Sequence, residues 1–103
     1  MYNVGESVLA YWRTTGLFHM GTIVDHNSYG YHVVFEDGDQ ANSIADAEIK
    51  SANLSVGTKV LAMWTDKSLY PGTIAKICGR AFYIHFDDGD KGWAPMMGIA
   101  LKP

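Results

Sequence analysis

The sequence predicts an all-β protein built from two tandem five-stranded barrels, one at residues 3–50 and one at residues 55–103. Three observations support this prediction: an internal repeat, an Asp-Gly turn in each copy, and short runs of strand-forming residues throughout. The repeat is clearest at the start of each copy, because VGESVLAYW from Val4 returns about 52 positions later as VGTKVLAMW from Val56. Self-similarity at a fixed period indicates a repeated structural unit.

Two further blocks of the repeat return later in the chain. The tripeptide GTI occurs at positions 21 and 72, and FEDGD at position 35 returns as FDDGD at position 86. The spacing slips by one residue between the tryptophan and the GTI block, where His19 and Met20 of the first copy face Pro71 alone in the second. A slip confined to one place indicates an insertion in a loop, because loops absorb changes of length at little cost.

Each copy is predicted to contain a series of short strands. The first is an apolar run near a glycine, the second surrounds a Thr-Ile pair, and the third alternates aromatic with β-branched residues. An Asp-Gly pair follows the third strand, and this pair indicates a hairpin because glycine accepts positive φ without strain. A short fourth strand, a single helical turn and a last short strand complete each copy. The predicted strands are 7–12, 20–25, 31–35 and 40–43, then 59–64, 72–77, 82–86 and 91–94; the helical turns are 45–48 and 95–98, and the last strands end at Lys50 and Lys102.

No window of the sequence supports a long amphipathic helix. Five short strands within about 50 residues require a strongly bent sheet, which predicts a small closed or nearly closed barrel. A unit of this size is near the lower limit for an independently stable core without disulfides or metal. Because the linker at 51–55 is also short, we expect the two copies to stabilise one another.

The charge of the chain argues against a nucleic-acid partner and favours a cationic one. The formal net charge is −3, and the eight Lys and Arg residues are scattered singly. Proteins that bind nucleic acid usually carry a basic patch, because neutralising phosphates supplies most of their non-specific affinity. The acidic residues cluster instead in the two Asp-Gly turns, and an acidic cluster attracts a cationic partner.

The composition also bears on disulfides, zinc and location. Cys78 is the single cysteine, which excludes an intramolecular disulfide and a zinc site built on cysteines. No apolar run approaches the roughly 20 residues of a membrane span, and no signal peptide opens the chain. The expected location is therefore intracellular, nuclear if the source is eukaryotic and cytoplasmic if it is prokaryotic.

The pattern of residues repeated in the two copies resembles that of a known family. The pattern Gly-x-x-Val-Leu-Ala-x-Trp, then an aromatic before Gly-Thr-Ile, then Phe-Asp-Asp-Gly-Asp is similar to the Tudor domain, in both copies and over nearly the whole chain. The resemblance implies tandem SH3-like barrels and a non-enzymatic reader of methylated lysine, or of methylarginine, in a basic peptide such as a histone tail. A role in chromatin would follow from such an activity.

The resemblance also implies an aromatic cage in the second copy. The tryptophan, the aromatic before the glycine, the phenylalanine that opens the turn and the acid two residues later would form it. The matching residues are Trp64, Tyr70, Phe86 and Asp88. The family often has another aromatic where this chain has Asp90, and we expect Trp93 to replace that wall.

In the first copy the cage implied by the resemblance is less complete. Trp12, Phe35 and Asp37 match the pattern, and Asp39 again occupies the usual aromatic position. The middle aromatic is ambiguous, because Phe18 corresponds to Tyr70 when the copies are matched from the tryptophan, whereas His19 lies nearer the glycine. We therefore expect the second copy to bind ligand and the first to support it.

Three other interpretations of the aromatic residues remain open, whereas metal binding and catalysis receive no support. The aromatic residues could instead belong to the core of each barrel, to a small nucleic-acid-binding barrel that stacks bases, or to an assembly protein that binds a partner's segment. The acidic turns lack the remaining ligands of an EF-hand, and the four histidines show no metal-binding spacing. No nucleophile, base and orienting group can be assembled, so we expect no catalysis, no metal and no cofactor.

Overall fold

Ten antiparallel β-strands form nearly all of the regular structure in the computed structural model, which describes every residue from Met1 to Pro103. The chain divides into two compact units, Met1–Ala52 and Asn53–Lys102. In the first unit the strands are β1 (Ser7–Trp12), β2 (Leu17–Asn27), β3 (Gly30–Phe35), β4 (Gln40–Ile44) and β5 (Ile49–Ser51). In the second unit they are β6 (Lys59–Met63), β7 (Leu69–Cys78), β8 (Ala81–Phe86), β9 (Lys91–Pro95) and β10 (Ile99–Leu101).

The two units have the same strand order. In the first unit the pairing runs β5-β1-β2-β3-β4, and in the second it runs β10-β6-β7-β8-β9, with every pair antiparallel. A single 3-10 turn precedes the last strand of each unit, at Asp46–Glu48 and Met96–Gly98. The all-β prediction is confirmed. The strands at the two ends of each order do not pair with each other, so each ladder is an open sheet rather than a closed barrel.

Each unit has its own hydrophobic core, and the two cores match position by position. Strand alternation sends every second residue inward, which is why the repeated Val, Ala, Ile and aromatic residues meet. The first core contains Val8, Ala10, Ile23, Tyr31, Val33, Phe35, Ile44 and Ile49. The second contains Val60, Ala62, Ile74, Phe82, Ile84, Phe86, Ala94 and Ile99.

The glycine of the repeated Gly-Thr-Ile block is required by close packing between strands. A Cβ atom built on Gly72 would lie 2.6 Å from Cγ2 of Ile84 and 3.0 Å from the carbonyl oxygen of His85. A Cβ atom on Gly21 would meet Val33 and the Val34 carbonyl oxygen at 2.7 and 3.0 Å. Because part of each obstruction is backbone, no side chain can be accommodated without moving a strand.

Strand pairing places the predicted slip of the repeat in a hairpin turn. Ala10 pairs with His19, and Ala62 pairs with Tyr70, so His19 and Tyr70 are equivalent. The extra residue of the first unit therefore lies in the turn between β1 and β2, and the assignment of the slip to His19 and Met20 was wrong.

A second slip, which the sequence did not indicate, occurs in β4. Val33 pairs with Ala41 and Tyr31 with Ile44, whereas Ile84 pairs with Gly92 and Phe82 with Ala94. Between the matched pairs β4 therefore has one residue more than β9. The extra residue forms a bulge at which Ser43 has φ of 60°. No helix of the structure has the length and apolarity that crossing a membrane requires.

Candidate aromatic-acidic pocket

A pocket of about 250 Å³ lies at one end of the second unit. It is smaller than the roughly 300–1,000 Å³ typical of pockets for drug-sized molecules, so it suits a small group. Three aromatic and three acidic side chains line it: Trp64, Asp66, Tyr70, Phe86, Asp88 and Asp90. We call this group the Trp64 pocket.

Two hairpin turns and their flanking strand ends bring these side chains together. Trp64 directly follows β6, Asp66 lies in the turn that leads to β7, and Tyr70 lies near the start of β7. Phe86 ends β8, and the two other acids belong to the turn between β8 and β9. The pocket therefore forms where two neighbouring hairpins end, and five of its six lining residues are those that the sequence pattern selected.

The rings of Trp64 and Phe86 form one wall of the Trp64 pocket. Their centroids are 5.1 Å apart and their planes are inclined at 82°, which is the edge-to-face arrangement favoured by aromatic pairs. Phe86 is only 6% exposed, so it anchors the wall in the core. Gly92 of β9 lies beneath Trp64, because a Cβ atom there would be 2.9 Å from Cζ3 of the indole.

The turn after Phe86 holds two carboxylates at the rim of the pocket. The Phe86 N–H donates to the Asp90 carbonyl oxygen at 2.8 Å, and the Gly89 N–H donates to the Phe86 carbonyl oxygen at 3.0 Å. The Asp90 N–H also donates to Oδ1 of Asp88 at 3.0 Å. Gly89 has φ of 96°, a left-handed conformation that favours glycine and explains the Asp-Gly sequence.

Asp66 is the lining residue that sequence reasoning missed. The Tyr70 hydroxyl donates a short hydrogen bond to Oδ2 of Asp66, and the Ser68 N–H donates to Oδ1 at 2.9 Å. The sequence did contain a signal, since an acid four residues before Tyr70 lies in the turn between the two strands. It was missed because that turn is where the two copies differ in length.

The same hydrogen bond shifts the titration of both partners. The Tyr70 hydroxyl and then the Ser68 N–H stabilise the carboxylate, which lowers the pKa of Asp66. The Asp66 carboxylate raises the pKa of Tyr70. At neutral pH the pocket therefore contains an ionised Asp66 and a protonated tyrosine.

The charge lining the Trp64 pocket has a single sign. Asp66, Asp88 and Asp90 contribute carboxylates, and the lining includes no lysine, arginine or histidine. Aromatic faces attract cations through their quadrupole, and nearby carboxylates add attraction between opposite charges. The arrangement is chemically suited to a small organic cation.

The structure does not place Trp93 in this pocket, so the expected replacement of the missing wall is wrong. Trp93 pairs with Tyr83, and its ring lies 5.2 Å from the ring of Tyr83 on the outer side of the sheet. Successive residues of a strand point to opposite faces. Because Gly92 faces Trp64, its neighbour Trp93 faces away.

In the first unit the aromatic residues are arranged differently. The rings of Trp12 and Phe35 lie 4.3 Å apart, and Trp12 meets His19 edge-on at 6.5 Å. Phe18 is not part of this group. It is only 6% exposed, it packs edge-on against Tyr11 at 5.5 Å, and Nζ of Lys50 lies 4.5 Å from its ring centroid. Strand alternation thus places His19, rather than Phe18, beside Trp12.

His19 has an altered titration at the position equivalent to Tyr70. Burial lowers its pKa from the ordinary value of 6.5, and the Asp37 carboxylate partly opposes that effect. Nε2 of His19 lies 2.7 Å from Oγ1 of Thr15, within hydrogen-bonding distance. Asp37 is held in its turn as Asp88 is, with its Oδ1 accepting from the Asp39 N–H at 3.0 Å.

A pocket of about 340 Å³ beside Trp12 has a different character from the Trp64 pocket. It includes Arg13, whose guanidinium lies 3.8 Å from a carboxylate oxygen of Glu48 and whose side chain is 83% exposed. A cationic side chain at the pocket disfavours a cationic ligand. The other lining residues are Tyr11, Thr14, Gln40, Ala41, Asn42, Ser43 and Ile44.

Comparison of the chain with family models and with curated proteins finds no match. The structure contains no group of three or more His, Cys, Asp or Glu side chains arranged to hold a metal ion. The candidate site is thus defined by its own chemistry, a small cup of aromatic rings with an acidic rim.

Proposed function

We propose that this protein is a non-enzymatic binding module of the Tudor kind. Its Trp64 pocket recognises a methylated lysine, or methylarginine, in a basic peptide such as a histone tail. A module of this kind acts inside the cell, in the nucleus of a eukaryote or the cytoplasm of a prokaryote.

One observation carries the proposal, the convergence of three aromatic rings and three carboxylates on one small pocket. A methylated ammonium keeps its charge but sheds water more readily than an unmodified one. Each contact with an aromatic face then stabilises it by about 0.5–2 kcal/mol. Unmodified lysine has to lose a stronger hydration shell to enter the same pocket.

The acidic rim favours the lower methylation states. Monomethyl and dimethyl ammonium groups retain an N–H, and a carboxylate that accepts it forms a charge-assisted hydrogen bond. Asp88 and Asp90 stand where additional aromatic surface would favour a trimethyl group, and Trp93 lies on the other side of the sheet. The order of affinity is therefore dimethyl and monomethyl above trimethyl.

The proposal includes a finer description of the fold. Each unit is an SH3-like, Tudor-like barrel that is incompletely closed by hydrogen bonds. Two features support this: the first strand of each unit pairs with the second and the last, and a 3-10 turn precedes that last strand.

A methyl-lysine peptide array tests the proposal. Wild-type protein should retain peptides with dimethyl or monomethyl lysine, and Trp64→Ala should lose them while keeping a β-sheet circular-dichroism spectrum. Trp12→Ala is the matched control from the first unit and should reduce retention less. Equal retention of unmodified and methylated peptides would contradict the proposal.

A further inference from the structure

The outer side of the β7-β8-β9 sheet presents a second group of aromatic side chains, separate from the Trp64 pocket. Strand pairing arranges it in two rows. Lys76, Tyr83 and Trp93 pair across the three strands in one row. His85 and Lys91 pair in the neighbouring row. We call these five residues the Tyr83 surface.

The rings of the Tyr83 surface contact one another and remain accessible. Tyr83 lies 5.2 Å from the ring of Trp93, with planes inclined at 51°, and 5.7 Å from the ring of His85. Nζ of Lys76 lies 5.4 Å from the Tyr83 ring centroid. Trp93 is 55% exposed, so a large part of its indole surface is accessible to a partner.

The fold concentrates positive charge that is scattered in the sequence. Lys76 and Lys91 flank the aromatic residues on opposite sides of β8 because β7 and β9 both pair with it. The acidic turn at residues 87–90 follows β8 and bounds the surface at that end. Two lysines therefore flank an exposed aromatic face beside an acidic turn, on a chain whose net charge is −3.

The first unit lacks this surface, although its core matches that of the second. At three of the equivalent positions its strand pairing places a carboxylate, an amide and an aliphatic side chain. The position equivalent to Trp93 falls at the bulge of β4. The counterparts are Asp25, His32, Val34, Gln40 and the pair Asn42 and Ser43. Because the core does not require the aromatic residues, their presence in the second unit needs another explanation.

We propose that the Tyr83 surface binds single-stranded nucleic acid. The exposed ring of Trp93 and the neighbouring Tyr83 supply faces for stacking bases, and Lys76 and Lys91 neutralise phosphates on either side. Stacking tolerates any base because every base has a π face, so binding depends little on sequence. A duplex hides its base faces and is excluded from this mode.

This inference does not rest on the proposed recognition of methylated lysine. Strand alternation sends Gly92 toward Trp64 and Trp93 to the opposite side of β9. Substitutions at the two sites therefore affect different ligands. The failure of one assay leaves the other informative.

Fluorescence anisotropy with labelled oligo(dT) and oligo(U) of about eight nucleotides, at low salt, tests the inference. Wild-type protein should bind both, and Trp93→Ala should weaken binding about tenfold, because stacking contributes about 1–3 kcal/mol per base. The double variant Lys76→Gln, Lys91→Gln should make the binding constant less dependent on salt. The negative slope of log K against log salt should decrease in magnitude by roughly 0.7 per lysine. Trp64→Ala is the control and should bind oligonucleotide as wild type does.

A two-dimensional NMR spectrum provides a measurement that does not depend on the variants. Oligonucleotide should shift the indole N–H of Trp93 and leave that of Trp64 in place. The inference is overturned if neither oligonucleotide binds, if a duplex of equal length binds as well, or if the Trp93 resonance does not move. It is also overturned if an acidic peptide competes as strongly, because the surface would then recognise charge alone.

Discussion

The ring of Trp64 stands edge-on to the ring of Phe86, with centroids 5.1 Å apart and planes at 82°. Phe86 is buried, so this contact joins the pocket wall to the hydrophobic core. In the first unit Trp12 lies closer to Phe35, at 4.3 Å and 56°. In the second unit Tyr70 and three carboxylates complete the pocket beside these rings.

The space beneath Trp64 gives a first prediction. In Gly92→Ala the new methyl group would meet the indole at 2.9 Å and push the ring toward the pocket. We expect weaker binding of methylated peptide with the fold retained, because a half-buried side chain can move. The first unit already has Ala41 at the equivalent position, so Ala41→Gly is the matched control. Calorimetric titration of both variants checks this, and unchanged affinity in Gly92→Ala would count against the placement of Trp64.

The close strand packing at Gly72 gives a prediction about stability. Gly72→Ala should lower the free energy of unfolding by about 1–3 kcal/mol, because backbone obstructs the new Cβ atom. Gly21→Ala should have a similar effect in the first unit. Pro71→Ala, at an exposed neighbouring position, should lower stability by only about 0.4–1 kcal/mol, because losing a proline gives the unfolded chain more freedom. Urea unfolding measures all three, and a Gly72→Ala protein as stable as wild type would refute the packing argument.

The hydrogen bond between Tyr70 and Asp66 gives a prediction about titration. Tyr70→Phe keeps the ring but removes the hydroxyl that stabilises the carboxylate, so the pKa of Asp66 should rise. In Asp66→Asn the pKa of Tyr70 should fall, because the carboxylate raises it in the native protein. Carboxyl NMR titration and the ultraviolet titration of tyrosinate check the two directions. Ser68→Ala keeps the backbone N–H that donates to Asp66, so it is a control for the carboxyl titration only; the Ser68 side chain lowers the pKa of Tyr70, and its removal should raise that pKa further.

The burial of His19 gives a prediction about pH. Its pKa in the folded protein lies below the ordinary value of 6.5, so folding disfavours its protonated form. The contribution of the neutral His19 to the stability of the native state is then fully present above about pH 6.5, and it is lost as the pH falls through the folded pKa. His19→Tyr, which copies Tyr70, should remove this part of the decline. NMR titration of the His19 ring gives the pKa directly, and a midpoint above 6.5 would show the sign to be wrong.

The sequence predicted the strands well because turn chemistry and alternation are local properties. Asp-Gly fixed the hairpin after Phe86, and the repeat brought Trp64, Tyr70 and Asp88 into matching positions. The prediction erred where neighbouring residues face opposite ways. Phe18 and Trp93 are each next in the chain to the residue that faces the tryptophan, His19 and Gly92 respectively.

Changes of length between the copies limited the prediction in another way. Asp66 lies in the turn where the first copy has an extra residue, so comparison of the copies gave it no partner. The bulge at Ser43 could not be found either, because Asn42 and Ser43 resemble nothing in the second copy. Such features depend on strand pairing, which the three-dimensional structure provides.

Recognition of methylated lysine by the Trp64 pocket can be tested by NMR titration with dimethyl-lysine and trimethyl-lysine peptides. We expect chemical-shift changes around Trp64, Tyr70 and Phe86, with tighter binding of the dimethyl form and loss of the changes in Trp64→Ala. Asp88→Asn should narrow the difference between the two peptides. Binding should be weak, because a few cation–π contacts have to offset the cost of association. If no resonance around Trp64 shifts at millimolar peptide, the pocket does not bind methylated lysine.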